Sequence, residues 1–340
     1  MNHSYDVAVL GATGLVGETM ISILAEREFS IGTLYPLASH RSVGKRVEFR
    51  GQYLRIQDVA EFDFSTAQIG LFSAGAGVSA KYAPRAAEQG CIVIDNTSRF
   101  RRDDDIPLVV PEVNPNEIAR YTNRGIIANP NCSTIQMVVA LKPIHDAVGI
   151  ERINVCTYQA VSGTGRKAVE ELATQTVALL NANPIENTVY PKQIAFNVLP
   201  HIDEFMENGY TREEMKMVWE TRKILGDETI RVNPTTVRVA VFHSHSEAVH
   251  IETRSKITAP EARALLEASE AIVVLDEHSD GGYPTAVTES VGTDPVYVGR
   301  IREDISHPMG LSLWIVSDNI RKGAALNSVQ IAEILVRDYF

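Results

Sequence analysis

Tyr5-Asp6-Val7-Ala8-Val9-Leu10-Gly11-Ala12-Thr13-Gly14-Leu15-Val16-Gly17 carries a short apolar run straight into three glycines at GxxGxxG spacing. Tyr5 to Leu10 has the length and composition of a buried strand, and Val16 to Ala25 the periodicity of a helix, so the glycines fall on a strand-to-helix turn. There, missing side chains let backbone amides approach a pyrophosphate, and the positive end of the helix dipole favours its charge. Gly11, Thr13, Gly14, Leu15 and Val16 are the residues this reading assigns to a nucleotide. A tight turn without a ligand is the plainer alternative, and position at the very first strand argues against it.

The following residues repeat the alternation. Ile31 to Leu37, Ile69 to Ser73, Gly90 to Asp95 and Ile126 to Asn129 read as strands, and Ala80 to Gln89 as a helix with Pro84 near its start. Strands alternating with helices predict a parallel sheet covered by helices, a Rossmann-type nucleotide-binding domain. Beyond Asn131, Ser133 to Leu141 suits a buried helix, and from Arg152 the character changes. Ile153 to Val161, Val237 to Phe242, Ala248 to Ile257 and Leu311 to Val316 are longer strand-like runs, separated by helices such as Arg166 to Leu180 and Arg212 to Leu225. This predicts an α+β second domain. Small residues in Gly323-Ala324-Ala325 open a final helical pattern that is expected to return to the first domain. The expected division is 1–131 plus 319–340 for the nucleotide-binding domain and 132–318 for the catalytic and dimerisation domain.

A chain of 340 residues exceeds the usual size of one hydrophobic core. Its formal net charge of -11 repels nucleic acid and anionic lipid, so a small molecule is the expected partner and any anionic ligand needs a local cluster of cations. The start passes from Met1-Asn2-His3-Ser4 directly into the first strand, leaving no room for a cleavable leader, and no apolar run approaches the roughly 20 residues of a membrane-spanning helix. A cytoplasmic protein is expected. Three cysteines, at 91, 132 and 156, are too few for a disulfide framework and form no CxxC pair.

An NAD site usually carries Asp or Glu about 20 residues past the glycines. None follows the second strand here. Ser39-His40-Arg41-Ser42 stands there instead, with Lys45 close behind, so that Ser39, Arg41 and Ser42 suit a 2′-phosphate and NADP is the expected cofactor. A solvated basic loop is the alternative. Cys132 opens the helix that follows the strand Ile126 to Asn129, where the dipole and free amides favour thiolate and can hold an oxyanion. An incidental cysteine at a helix start is the competing reading. Cys91 and Cys156 lie in apolar strands and are read as small buried hydrophobes. His243 and His245 form an HxH pair without an evident third ligand, so no metal is expected.

Asn129-Pro130-Asn131-Cys132-Ser133-Thr134 resembles the active-site signature of the aspartate-semialdehyde dehydrogenase family. GATGLVG at 11–17, SHRS at 39–42, DNTSRFR at 95–101, VPEVN at 110–114, QAVSGTG at 159–165, EEMKMVWETRKIL at 213–225, RVAVFHSHSEAVHIET at 238–253 and SDNIRKGAA at 317–325 resemble it too. The resemblance implies an NADPH-dependent oxidoreductase that converts L-aspartyl 4-phosphate to L-aspartate 4-semialdehyde and inorganic phosphate. That step serves lysine, diaminopimelate, threonine and methionine biosynthesis. By the same resemblance Cys132 is the nucleophile, His245 the general acid/base and Gln159 the residue that orients the acyl group. Arg238 takes the substrate α-carboxylate, Glu213 and Asn131 contact substrate, and Arg99 and Lys216 bind phosphate. Ser162, Gly163 and Asn319 contact the cofactor, and a homodimer pairs through the second domain.

Arg238 precedes His245 by seven residues, an odd number that points them to opposite faces of an ideal strand. A bend or bulge near Phe242 to Ser244 is expected to reconcile them. Thr211 and Glu214 form a capping-box pattern that starts a helix and puts Glu213 and Lys216 three apart on one face. Arg101 and Arg102 face Asp103-Asp104-Asp105 in sequence and are expected to pair with them. Rival readings are an N-acetyl-glutamyl-phosphate reductase, a CoA-thioester reductase and a non-catalytic NADPH-binding paralogue, the last of which is expected to lose Cys132, Arg238 or His245.

Overall fold

Val7, Ala8, Val9 and Leu10 are at most 1% exposed, and for that reason β1 (Tyr5–Leu10) is apolar without alternation: its sheet is packed under helices. The computed structural model describes residues 4–340. Met1 to His3, part of the stretch read for a leader, lie outside the described residues. β1 joins β2 (Ile31–Ala38), β5 (Gln57–Asp58), β6 (Ile69–Phe72), β7 (Ile92–Asp95) and β8 (Ile126–Ala128) in a parallel sheet of order β5-β2-β1-β6-β7-β8. β3 (Arg46–Phe49) and β4 (Gln52–Arg55) pair separately as a hairpin. Helix α1 (Leu15–Glu26) and the C-terminal helix (Leu326–Asp338) share one apolar core with this sheet, and α2 (Ala76–Glu88) packs on β6 to β8. β2 lies on one side of β1 and β6 on the other, so the carboxyl ends of β1 and β6 frame the crevice where such sheets hold ligands.

Two compact units result: residues up to Pro130 with Ala324–Phe340, and Asn131–Gly323. The return to the first unit therefore falls at Ala324 rather than at residue 319. Local bonds explain the difference, since Gly323 N–H donates to Asp318 O and Asn319 bonds Ser162 and Ser244 within the second unit. Asn131 belongs with the helix it caps.

The second unit opens with α3 (Cys132–Val148), whose first nine positions after Cys132 are all buried, followed by β9 (Ile150–Gln159) and α4 (Arg166–Leu180). Then come β10 (Val198–Leu199), α5 (Arg212–Leu225), β11 (Arg231–Val239), β12 (His245–Thr253) and α6 (Ala259–Glu267). β13 (Ile272–Val274), β14 (Val296–Glu303) and β15 (Gly310–Ser317) complete a mixed sheet of order β10-β11-β9-β12-β15-β14-β13. The strands expected at Val237 to Phe242 and Ala248 to Ile257 are displaced toward the amino terminus. Their limits are set by ladder partners on β9, parallel to β11 and antiparallel to β12, which the local pattern does not encode. α5 starts with both halves of its capping box in place, Thr211 Oγ1 accepting from Glu214 N–H at 3.3 Å and Glu214 Oε2 from Thr211 N–H at 2.7 Å. No helix among the described residues is long and apolar enough to cross a membrane.

Candidate active site

Asn131 is the N-cap of α3. Its Oδ1 accepts the amides of Ser133 and Thr134 at 3.1 and 3.3 Å, which fixes the helix start on the residue before Cys132. Its Nδ2 donates to Glu213 Oε1 at 2.8 Å, so this side chain is engaged as a cap and a tether. Cys132 itself is half-buried. The residue after it, Ser133, accepts from Gln159 Nε2 at 2.9 Å, tying the head of α3 to the end of β9. Cys132 thus lies between two residues bonded into one polar cluster.

Glu213 is the hub of that cluster. Its Oε1 also accepts from Gln159 Nε2 at 3.3 Å, and its Oε2 lies 3.1 Å from Lys216 Nζ, one turn along α5. Burial pushes the Glu213 carboxyl up, but the Lys216 ammonium and the Asn131 amide outweigh it and hold the group down at about 2. Lys216 reaches Asp203 Oδ2 at 2.7 Å as well, so two carboxylates share its charge.

β9 ends between β11 and β12, and its last residues gather the other two groups. Arg238 is the register partner of Gln159 on β11, and Ser246 that of Tyr158 on β12, which puts His245 level with Gln159 on the opposite side. Ala160 then clamps both: its carbonyl accepts from Arg238 Nη1 at 2.7 Å and its N–H donates to His245 Nδ1 at 3.0 Å. The chain does bend within the expected Phe242 to Ser244, but the bend separates two strands and does not reconcile two faces of one. Arg238 and His245 stand on separate strands flanking β9, and the chain crosses between them through 240–244, where Ser244 adopts φ 70°. The odd spacing has no bearing, because alternation holds only within one strand. The same crossing removes His243 from β12, so the two histidines do not share a strand face.

Burial, and then the Arg238 charge, push the His245 imidazole down to about 3, against the opposing pull of Glu213. The ring is neutral at neutral pH, and with Nδ1 accepting, its proton resides on Nε2. That nitrogen, Arg238 Nε and Asn319 Nδ2 are buried with no hydrogen-bond partner among the described residues. Gly163 leaves the space beside them open, since a Cβ there would lie 3.1 Å from Arg238 Nη1 and 3.4 Å from His245 Nε2. Asn319 Oδ1 accepts from Ser162 Oγ at 3.1 Å and from Ser244 N–H at 2.9 Å. A thiol at a helix start, an imidazole N–H, a guanidinium and a buried ionised carboxylate are the parts needed to hold a carboxylate-bearing carbonyl compound for attack by sulfur.

The first unit holds a cavity of ≈ 630 Å³ over the glycine turn. Gly11 and Gly14 line it with Thr13, and Ser39 and Ser42 reach it from the end of β2. Gly11 sits at φ 91°, and a Cβ on Gly17 would lie 2.1 Å from Gly11 O, so both glycines are required for α1 to pack this closely. Leu15 and Val16 open α1, where no side chain caps the amino end, and their amides stay available to a phosphate. The turn therefore fits a dinucleotide. Arg41 is exposed on the short turn His40–Ser42 and is not part of the cavity wall.

Some residues escaped the sequence reading. A carboxylate does reach this cavity: Asp58, level with Ala38 but carried on β5, where His40 Nδ1 meets it at 3.2 Å. Ser73, Ala74 and Lys81 line the far wall, and Ser73-Ala74-Gly75-Ala76-Gly77 after β6 was a legible signal for it. Arg99 lies in the first unit on the loop after β7, 44% exposed, with its guanidinium over the Phe100 ring and 3.6 Å from Asp103. Arg124 shares Asp103 at 3.0 Å, whereas Arg101 is buried and donates to Asn96 O.

The family described as "Semialdehyde dehydrogenase, NAD binding domain" matches residues 6–121, and "Semialdehyde dehydrogenase, dimerisation domain" matches 141–322. An aspartate-semialdehyde dehydrogenase of Shewanella violacea is 64% identical, with all of both chains covered. The crystal structure of aspartate semialdehyde dehydrogenase II from Vibrio cholerae, complexed with ASA, is 60% identical with TM-score 0.98 and covers both chains completely. An aspartate semialdehyde dehydrogenase from Candida albicans, solved with NADP, has TM-score 0.77 at 26% identity, covering 98% of this chain and 99% of that one.

Proposed function

The chain belongs to the aspartate-semialdehyde dehydrogenase family, and on that premise we propose that it reduces L-aspartyl 4-phosphate to L-aspartate 4-semialdehyde with NADPH through a thioester on Cys132. It is an oxidoreductase of amino-acid biosynthesis that uses a nicotinamide dinucleotide. The supporting observation is the wiring of Asn131 and Ser133, on either side of Cys132, into the cluster that contains Gln159 and Glu213.

Arg238 takes the α-carboxylate of the substrate, a bidentate match that its buried, partly free guanidinium suits. Arg99 and Lys216 take the phosphate, and Glu213 and Asn131 bound the space for the rest of the substrate. Cys132 sulfur attacks the acyl carbon, and the electron pair of the carbonyl moves to oxygen. His245 Nε2–H donates to that oxygen, and collapse expels phosphate and leaves the thioester. NADPH, when bound, supplies the hydride that a thioester carbonyl is electrophilic enough to accept. Collapse of the resulting thiohemiacetal oxyanion returns the thiolate and frees the aldehyde, and His245 keeps its proton. Ser162, Gly163 and Asn319 hold the nicotinamide end of the cofactor.

NADP is preferred over NAD because Ser39 and Ser42 put hydroxyls on the cavity wall at the end of β2, the exposed Arg41 stands between them in sequence to meet a 2′-phosphate from outside that wall, and His40 pairs with Asp58, a carboxylate on the same wall. A homodimer through the second unit agrees with its family description. N-acetyl-glutamyl phosphate is disfavoured as substrate, because relatives along the whole chain carry the aspartate activity.

Cys132→Ala tests the covalent route. Phosphate-dependent reduction of NADP by aspartate semialdehyde should vanish while NADPH binding, followed by its fluorescence, is unchanged. Substantial surviving turnover would rule the thioester out.

A further inference from the structure

Glu220 is 3% exposed on α5, and its Oε2 accepts the backbone N–H of Asn131 at 2.6 Å. A carboxylate kept from water needs charge-assisted donors, and one of them here is the backbone N–H of the residue immediately before the nucleophile. The N–H of a capping residue finds no acceptor within the helix that it caps. Asn131 has no slack elsewhere either, as its Oδ1 is held by the Ser133 and Thr134 amides and its Nδ2 by Glu213. Glu213, Lys216 and Glu220 recur at i, i+3 and i+7, so one face of α5 grips Asn131 at two points: Glu213 by the side chain and Glu220 by the backbone.

We propose that Glu220 is a positioning residue for the reaction: by anchoring the Asn131 peptide it sets the direction in which Cys132 leaves the head of α3. It acts through the chain rather than on the substrate. The proposal rests on Cys132 being the nucleophile.

The test uses full-length Glu220→Gln, Glu220→Asp and Glu220→Ala. Glutamine keeps an acceptor oxygen at the same reach, aspartate keeps the charge one methylene short, and alanine keeps neither. Positioning predicts that E220Q retains kcat within about fivefold, while E220D and E220A lose about 100-fold in kcat with KM for both substrates within about threefold. The rate of Cys132 alkylation by iodoacetamide, assigned by peptide mass spectrometry and independent of turnover, should fall about tenfold in E220D and E220A and stay near wild type in E220Q. E220D, checked for folding by circular dichroism, carries the test if E220A does not fold. Wild-type kcat and alkylation in E220D, or an E220Q as impaired as E220D, would overturn the proposal. Activity surviving in the Cys132→Ala variant would instead refute the nucleophile assignment, so the two failures are distinguishable.

Discussion

Gly323 lacks a side chain because Cys132 occupies the space that one would need. A Cβ at position 323 would stand 2.8 Å from Cys132 Cβ and 3.3 Å from its Cα, and neither atom can swing aside as the tip of a flexible side chain could. Gly323→Ala is therefore expected to lower kcat about 100-fold through displacement of sulfur, with NADPH affinity nearly unchanged. Steady-state kinetics with cofactor titration would check this, and undiminished kcat would show that α3 absorbs the methyl without moving its first residue. Two titratable groups nearby are set in opposite charge states by their surroundings. Glu213, held at about 2, stays ionised, and His245, pushed to about 3, stays neutral. Both folded values lie below the ordinary ones, so the stability each contributes is present above the ordinary value and is lost as pH falls toward the depressed one.

Among the elements, β12 carries a third titratable group that the chemistry does not use. Glu247 follows His245 by two residues and so lies on the same face, fully buried. Burial raises its carboxyl well above the ordinary 4.5, and the Gln136 amide on α3 offsets this only in part. The sign is the reverse of that for Glu213. A raised folded value means that the contribution to stability is present below 4.5 and is lost as pH rises above it. Glu247→Gln removes this loss, so the variant should melt above the wild type at pH 8, with the advantage shrinking as pH approaches 4.5. Melting curves at several pH values decide it, and a difference independent of pH would assign the effect to packing.

For the whole molecule, the informative feature is the face of the seven-stranded sheet opposite Gln159 and His245. Tyr158 is 37% exposed there and lies 5.6 Å from the Trp314 ring, Cys156 is half-buried, and His250 is exposed. An apolar and aromatic sheet face of this kind is characteristic of an interaction surface, and it lies within the residues matched by the dimerisation family. With the homodimer proposed above as the starting point, Tyr158→Glu should desolvate an unpaired charge in the interface and yield a monomer in light scattering behind size exclusion. An unchanged mass would move the dimer contact elsewhere on the second unit.

Several elements of both units were readable from local pattern. β1 spans the expected Tyr5–Leu10, α4 and α5 have the expected limits, and Cys132 opens a helix, because periodicity, glycine placement and capping pairs act over a few residues. The proposed catalytic arrangement was not readable in that way. Arg238 and His245 meet on either side of β9 because Ala160 offers each of them a backbone group, and a backbone donor or acceptor leaves no mark on residue identity. Asp58 reaches the cavity over the glycine turn from a neighbouring strand, and Glu220 reaches Asn131 across 89 positions of chain. Such contacts depend on which strands and helices become neighbours, a choice made by packing the whole unit rather than by any short run of sequence.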